Sequence, residues 1–238
     1  MRAALHAEWT KLRTAPGTLA LLLGIVASTV GLSATVDTCS GAECGADLPR
    51  LSLTGVQLGQ AVVAILAIVA MGDEYRTGMV TATLTAVPRR LRVLVAKAVL
   101  VGSAVAVAAS VSIGGCIVVG RLMLPAHSMP LRPAIGSVLY LILVALLSLG
   151  AATVLRSSAA AAGTVLALLY AAPVVTMAVT NLTWQRHLLQ AGPTSAGLAV
   201  QTTAGSPVIE PWKGLAVLAL WALGALLIGA IVLDRRDA

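Results

Sequence analysis

The chain has 238 residues, 58% of them hydrophobic and only 11% charged, with a mean hydropathy of +0.96. A soluble domain is about 45–50% apolar and about 25% charged, and one built from this composition would expose apolar patches far larger than monomers tolerate. The net charge of +7, from 16 Lys and Arg against 9 acids, lies in short clusters beside long apolar runs, with no basic face and almost no aromatic interleaving; nucleic acid is not expected as a partner.

In chain order, the first segment is the charged stretch Met1–Pro16. Leu5, Trp9 and Leu12 recur there at i, i+4 and i+7 as a narrow apolar stripe. Trp9 with Lys11 and Arg13 around it suits a helix lying in the membrane interface; a disordered basic tail that only sets topology is the other reading. Pro16-Gly17 breaks the direction before the first apolar run, Thr18–Val36. That run also has the layout of a signal peptide, but Leu32 three residues before a cut at Ala34 makes a poor cleavage site, and a retained span is expected. Five further runs follow, Leu53–Met71, Ala98–Val119, Ile135–Val154, Ser158–Val179 and Leu215–Leu233. Each can cross ~30 Å of hydrocarbon as a helix. Helices are expected because unpaired backbone groups are too costly in lipid, and barrel strands would alternate as these runs do not. The fold class is therefore an all-α polytopic membrane protein, one domain over residues 1–238 with six spans.

Loop charge sets the orientation. With both termini on one side, that side collects 11 basic residues (Arg2, Lys11, Arg13, Arg76, Arg89, Arg90, Arg92, Lys97, Arg156, Arg235, Arg236), against 5 on the other. Both termini are expected in the cytoplasm, the chain crossing a bacterial inner membrane.

Cys39 and Cys44 lie in the first outer loop, Val36–Ser52. A disulfide fits an oxidising exterior, free thiols are the alternative, and a metal would need more ligands. Cys116 falls inside a span, as a small packed side chain. In span two, Gln57 and Gln60 lie one turn apart, with Gly55 and Gly59 as a GxxxG pair. Glutamines in lipid should face protein or a wet cavity, so they either bond a neighbouring helix or line a pathway. The segment 72–92 is long for a turn: Met79, Val80, Thr83, Leu84 and Val87 share a helical face before Pro88 ends it, and Arg89, Arg90 and Arg92 follow. It reads either as a positive-inside loop with a short interfacial helix or as a docking helix that receives force from a soluble partner. Pro173 is expected to kink span five. The outer segment 180–213 has an apolar middle, Ser195–Gln201, too short to span. A re-entrant or interfacial element is expected there, with a plain exposed loop as the alternative.

Catalytic signals are missing. The chain carries no GxxxxGK[ST] phosphate loop, HExxH or GxSxG, and its histidines, His6, His127 and His187, have no partner at ligand spacing. No acid lies deep in a span, against a proton-coupled relay. No cofactor, metal or catalysis is expected in this chain.

Three stretches together resemble a known family. Glu8-Trp-Thr-Lys-Leu-Arg-Thr14 before span one, Gly72-Asp-Glu-Tyr-Arg-Thr-Gly78 leaving span two, and Pro193-Thr-Ser-Ala-Gly197 between the last two spans are similar to the membrane (permease) subunit of type 2 ATP-binding-cassette (ABC) exporters. Thr83-Leu84 and Val87-Pro-Arg-Arg90 with Lys97 continue the likeness, and Arg over Lys by 13 to 3 suits an actinobacterial-like genome. The resemblance implies an elbow-like interfacial helix over 1–16 with Trp9, Lys11 and Arg13 at the cytoplasmic face. It implies a coupling helix in 72–92, where Glu74, Tyr75, Arg76, Thr77, Gly78, Val80, Thr83, Leu84, Arg89 and Arg90 would meet the ATPase. Short re-entrant helices around Pro193 and Gly197 would cap the pathway. Two separate ATPase subunits, carrying ATP and Mg, and a second membrane subunit, the same chain or a relative, are the implied partners beside the bilayer. The implied function is export, of a cargo that aromatic-poor apolar spans suggest to be hydrophobic: an antibiotic, a lipid or a peptide. A non-transporting anchor or regulatory subunit of a sensor complex is the alternative.

Overall fold

The computed structural model describes residues 10, 16–36, 47–76, 90–123, 130–203 and 209–235. They form an all-α polytopic membrane protein, with no strand among the described residues and six helices long and apolar enough to cross a membrane. Span one is Pro16–Val36, span two Val56–Arg76, span three Arg90–Met123, span four Leu131–Leu155 and span six Pro211–Arg235. Span five runs from Ser158 to Met177 as two helices, Ser158–Leu166 and Ala172–Met177, joined by a π-helical turn, Ala167–Ala171. A five-residue helix, Leu48–Ser52, precedes span two.

The helices outrun the apolar runs wherever charge cut the hydropathy short. Span three has 34 residues, or ~51 Å at 1.5 Å per residue, against ~30 Å of hydrocarbon. Arg90, Arg92 and Lys97 interrupt the apolar pattern, but Arg and Lys are good helix formers, and no Gly or Pro falls between Pro88 and Gly102. Span four likewise starts at Leu131, four residues before the apolar run, because Pro133 in its first turn needs no N–H partner. In span five Pro173 comes two residues after the end of the π-helical turn at Ala171. A proline cannot donate to the carbonyl four residues back, and a wider turn accommodates the missing bond.

Span four is the hub, packed against spans two, three, five and six, while span one lies against spans two and three. Over half of the apolar window of spans two and four is buried (56% each), against 17% for span one and 22% for spans five and six. The periphery of the bundle is therefore spans one, five and six. Small residues set the close approaches. A Cβ on Gly150 would lie 2.6 Å from the Ala225 backbone of span six, and one on Gly229 would strike Thr153 Oγ1. Gly55 sits in the turn just before span two, not on its helix; its N–H donates to Ser33 Oγ of span one at 3.2 Å. A Cβ at Gly55 or Gly59 would collide with Thr29, so the GxxxG pair seats span one. Cys116 is buried there, its thiol 3.4 Å from Ser33 Oγ.

The two ends of the bundle differ. Residues 76, 90, 156 and 235 gather at one, the basic end. At this end Arg156 turns span four into span five with a left-handed backbone, φ 52°, and the Ser157 hydroxyl caps span five by accepting from Ala160 N at 3.4 Å. The other, the far end, carries the segment expected to be re-entrant or interfacial. It forms a helix Leu182–Ala191, a second helix Pro193–Leu198 and a 3₁₀ turn Ala199–Gln201. Asn181 caps the first, its side-chain oxygen accepting from Thr183 N (3.0 Å) and Trp184 N (3.4 Å).

Candidate functional site

The sequence points most strongly to the loop between spans two and three. Residues 77–89 and the side chains of Glu74, Tyr75, Arg76 and Arg90 lie outside the described residues, as do Trp9, Lys11, Arg13, Cys39 and Cys44. What is described is how the helices on either side of the loop are held. Lys97 of span three is buried, 4% exposed, and its ammonium donates to the Ala70 carbonyl of span two at 3.0 Å. A charge-assisted bond of this kind is stronger than a neutral one, and it ties the two helices together below the loop. Two residues further along, Gly72 is pressed on the first residue of span five, where any Cβ would strike Ser158 Oγ. The end of span two is thus bonded to span three and pressed on the start of span five.

A polar seam runs through the far half of the bundle. Tyr140, fully buried on span four, donates its hydroxyl to Gln60 Oε1 of span two. Tyr170, in the π-helical turn of span five, donates to the Gln57 carbonyl and lies beside the Gln60 side chain. The buried Thr194 of the helix Pro193–Leu198 faces the Tyr140 hydroxyl. Gly197, one turn on, has the Tyr140 ring against it, 2.7 Å from where a Cβ would be. Lower in the same segment, Gln201 Nε2 donates to Ser137 Oγ of span four at 2.9 Å, with both side chains buried. Tyr140 lies nine residues into span four, ~14 Å from its start at 1.5 Å per residue, so the seam is at hydrocarbon depth.

The far segment is fastened at its rim as well. Arg132 donates to Thr202 O at 2.5 Å. Asp47, before the short helix Leu48–Ser52, accepts from Thr203 N at 2.8 Å and from the Thr203 hydroxyl at 2.5 Å. Trp221 of span six donates its indole N–H to Ala191 O at 2.9 Å.

The expected site residues divide accordingly. Gln60 bonds a neighbouring helix, whereas Gln57, one turn away, holds its side chain on the surface of the bundle. Pro193 and Gly197 are buried against span six and Tyr140. Tyr140, Tyr170 and Thr194 carry the seam: Thr194 lies within the Pro193–Gly197 stretch that the sequence singles out, whereas the one signal for Tyr140 and Tyr170 is that they are tyrosines inside spans of a chain that is only 3% aromatic. Among the described residues no three His, Cys, Asp or Glu side chains come together. The geometry offers mechanical linkage between the two ends and a polar patch at membrane depth. No known family pattern and no curated protein sequence matches the chain.

Proposed function

We infer that the chain is the membrane subunit of an ABC exporter, working with a second membrane subunit and driven by two separate ATPase subunits that bind ATP and Mg. The observation that carries this reading is the Lys97–Ala70 tie beneath the loop that resembles a coupling helix. A loop that receives force needs an anchored base, and here the end of span two is tied to span three through Lys97 and pressed on the start of span five at Gly72. Closure of two ATPases beneath the loop would tilt those spans as rigid bodies, and span five would pass the tilt to its π-helical turn and the seam.

A second membrane subunit is supported by the surface beside that seam. Gln57 is exposed on span two, and span five exposes Gly163, Thr164, Ala167, Tyr170 and Ala171. An exposed glutamine amide facing lipid is costly, and small residues let another helix approach closely. The cargo is hydrophobic in this reading. The 11-to-5 division of basic residues supports a cytoplasmic basic end in a bacterial cell, with both termini on that side.

The test is co-purification in mild detergent from native membranes, with mass spectrometry and an ATP hydrolysis assay, for the intact chain and for Glu74→Lys. The expected result is a stoichiometric partner carrying a phosphate loop. Glu74→Lys is expected to insert normally and abolish transport, because its charge lies at the start of the docking segment. Export that survives Glu74→Lys at normal expression would remove Glu74 from the coupling. A clean preparation of intact chain with neither ATPase nor hydrolysis would favour the anchoring or regulatory reading instead.

A further inference from the structure

A groove opens between the far half of span five, the helices of the far segment and span six. Its volume is about 180 Å³, and its walls include Pro173, Thr176, Leu188, Pro193 and Trp221. Three polar side chains at the walls are bonded internally. Thr176 Oγ1 donates to Pro173 O at 2.7 Å, Ser195 Oγ to Leu189 O at 2.7 Å, and Trp221 Nε1 to Ala191 O at 2.9 Å. The Thr194 hydroxyl oxygen, on the same wall, is shielded from the surface and makes no hydrogen bond among the described residues. An apolar cavity of ~150 Å³ already stays dry and takes a benzene-sized ligand, so this groove is suited to hydrocarbon and not to water.

Depth and rim say where that hydrocarbon comes from. Trp221 lies ten residues into span six, ~15 Å from its start at Pro211. At the mouth, the lining residues Leu188 (40%) and Trp221 (44%) are themselves exposed, an apolar rim on the outer surface of the bundle. We propose that the groove is a binding site for one acyl chain of a membrane phospholipid, in the leaflet at the far end. A chain enters laterally from lipid, asks for no hydrogen bond, and fills the space between span five beyond its π-helical turn and the capping helices. The proposal rests on the membrane fold alone and is independent of the exporter reading.

The experiment reconstitutes the full chain in vesicles of phosphatidylcholine containing a graded fraction of phosphatidylcholine with a photoactivatable diazirine in one acyl chain, and maps the adducts by mass spectrometry. Adducts at 172–176 and 188–195 are expected to saturate at low label fraction, while those around the exposed Leu19 and Leu23 of span one rise in proportion to it. Ala172→Phe, and separately the milder Ala191→Leu, are expected to cut the groove adducts severalfold and leave the span one adducts unchanged, which also reports that each variant is folded and inserted. Two results would overturn the proposal: groove adducts that rise in proportion like ordinary lipid contact, or adducts that neither substitution alters.

Discussion

Tyr140 and Gln60 meet inside the bundle with their neighbours already fixed: the ring rests on Gly197 and the hydroxyl on the Gln60 amide. Interhelical hydrogen bonds in membrane proteins average only ~0.6 kcal/mol by double-mutant cycles, with a maximum of ~1.7, but a buried polar group left unpaired costs about 1–3 kcal/mol. Phenylalanine at 140 keeps the ring and removes the donor alone. Tyr140→Phe is therefore expected to lower stability by about 1–2 kcal/mol, and Gln60→Leu in the same chain should restore most of it by removing the orphaned acceptor. Denaturant unfolding of the four chains of this cycle in mixed micelles measures the coupling. Strictly additive losses would mean that the bond holds nothing together.

Span three is the element in which function and stability can be separated. Its Lys97 is buried among helices but bonded to a backbone carbonyl, and exchanging a buried charge for an apolar residue of similar length is often neutral or stabilising. Lys97→Met is expected to unfold within a few degrees of the parent yet lose the stimulation of ATP hydrolysis by cargo, because the loop base loosens. Lys97→Arg, which can still reach a carbonyl, should retain part of it. A Lys97→Met chain with unchanged stimulation would show that the tie does not transmit force. Orientation should survive, since ten basic residues would still face five. At this scale the six helices were legible because runs of about 20 apolar residues have few other solutions in lipid. The ends of span three were not legible, since hydropathy drops at Arg92 and Lys97 where helix propensity does not. The burial of Gln60 and exposure of Gln57 also escaped the sequence. Residues three apart on a helix lie ~60° from each other, and only the position of span four decides which of them is covered. The π-helical turn had a trace in Pro173, whereas the Tyr140–Thr194 half of the seam depends on how the far segment folds back and has no local signature.

For the whole molecule, the peripheral position of span five is the fact with consequences. Spans one and six are also peripheral, but they show Leu19, Leu23, Leu220 and Leu227 to their surroundings, side chains at home in lipid. Span five shows such side chains only at its far end, in Val174, Val175 and Met177; before that it shows Gly163, Thr164, Ala167 and Ala171 beside Tyr170 and the Gln57 amide. That surface suits close helix contact, in which Cα atoms approach within the ~4.4–6.8 Å a disulfide requires. In a chain with Cys39, Cys44 and Cys116 replaced, a single cysteine at Thr164→Cys or Ala167→Cys is expected to form an oxidative cross-link to another membrane chain in native membranes, a second copy if the subunit pairs with itself. Cysteines at Leu19 or Leu220 should not. If the partner is a relative, the cross-link appears only when a cysteine is placed on the matching face of that relative, and its mass identifies it. Equal cross-linking at all four positions would mean random collision, and none at 164 and 167 in either arrangement would leave span five facing lipid. The polar patch at Gln57 and Tyr170 would then need water, which would make this face a lateral opening of the bundle in place of a subunit contact.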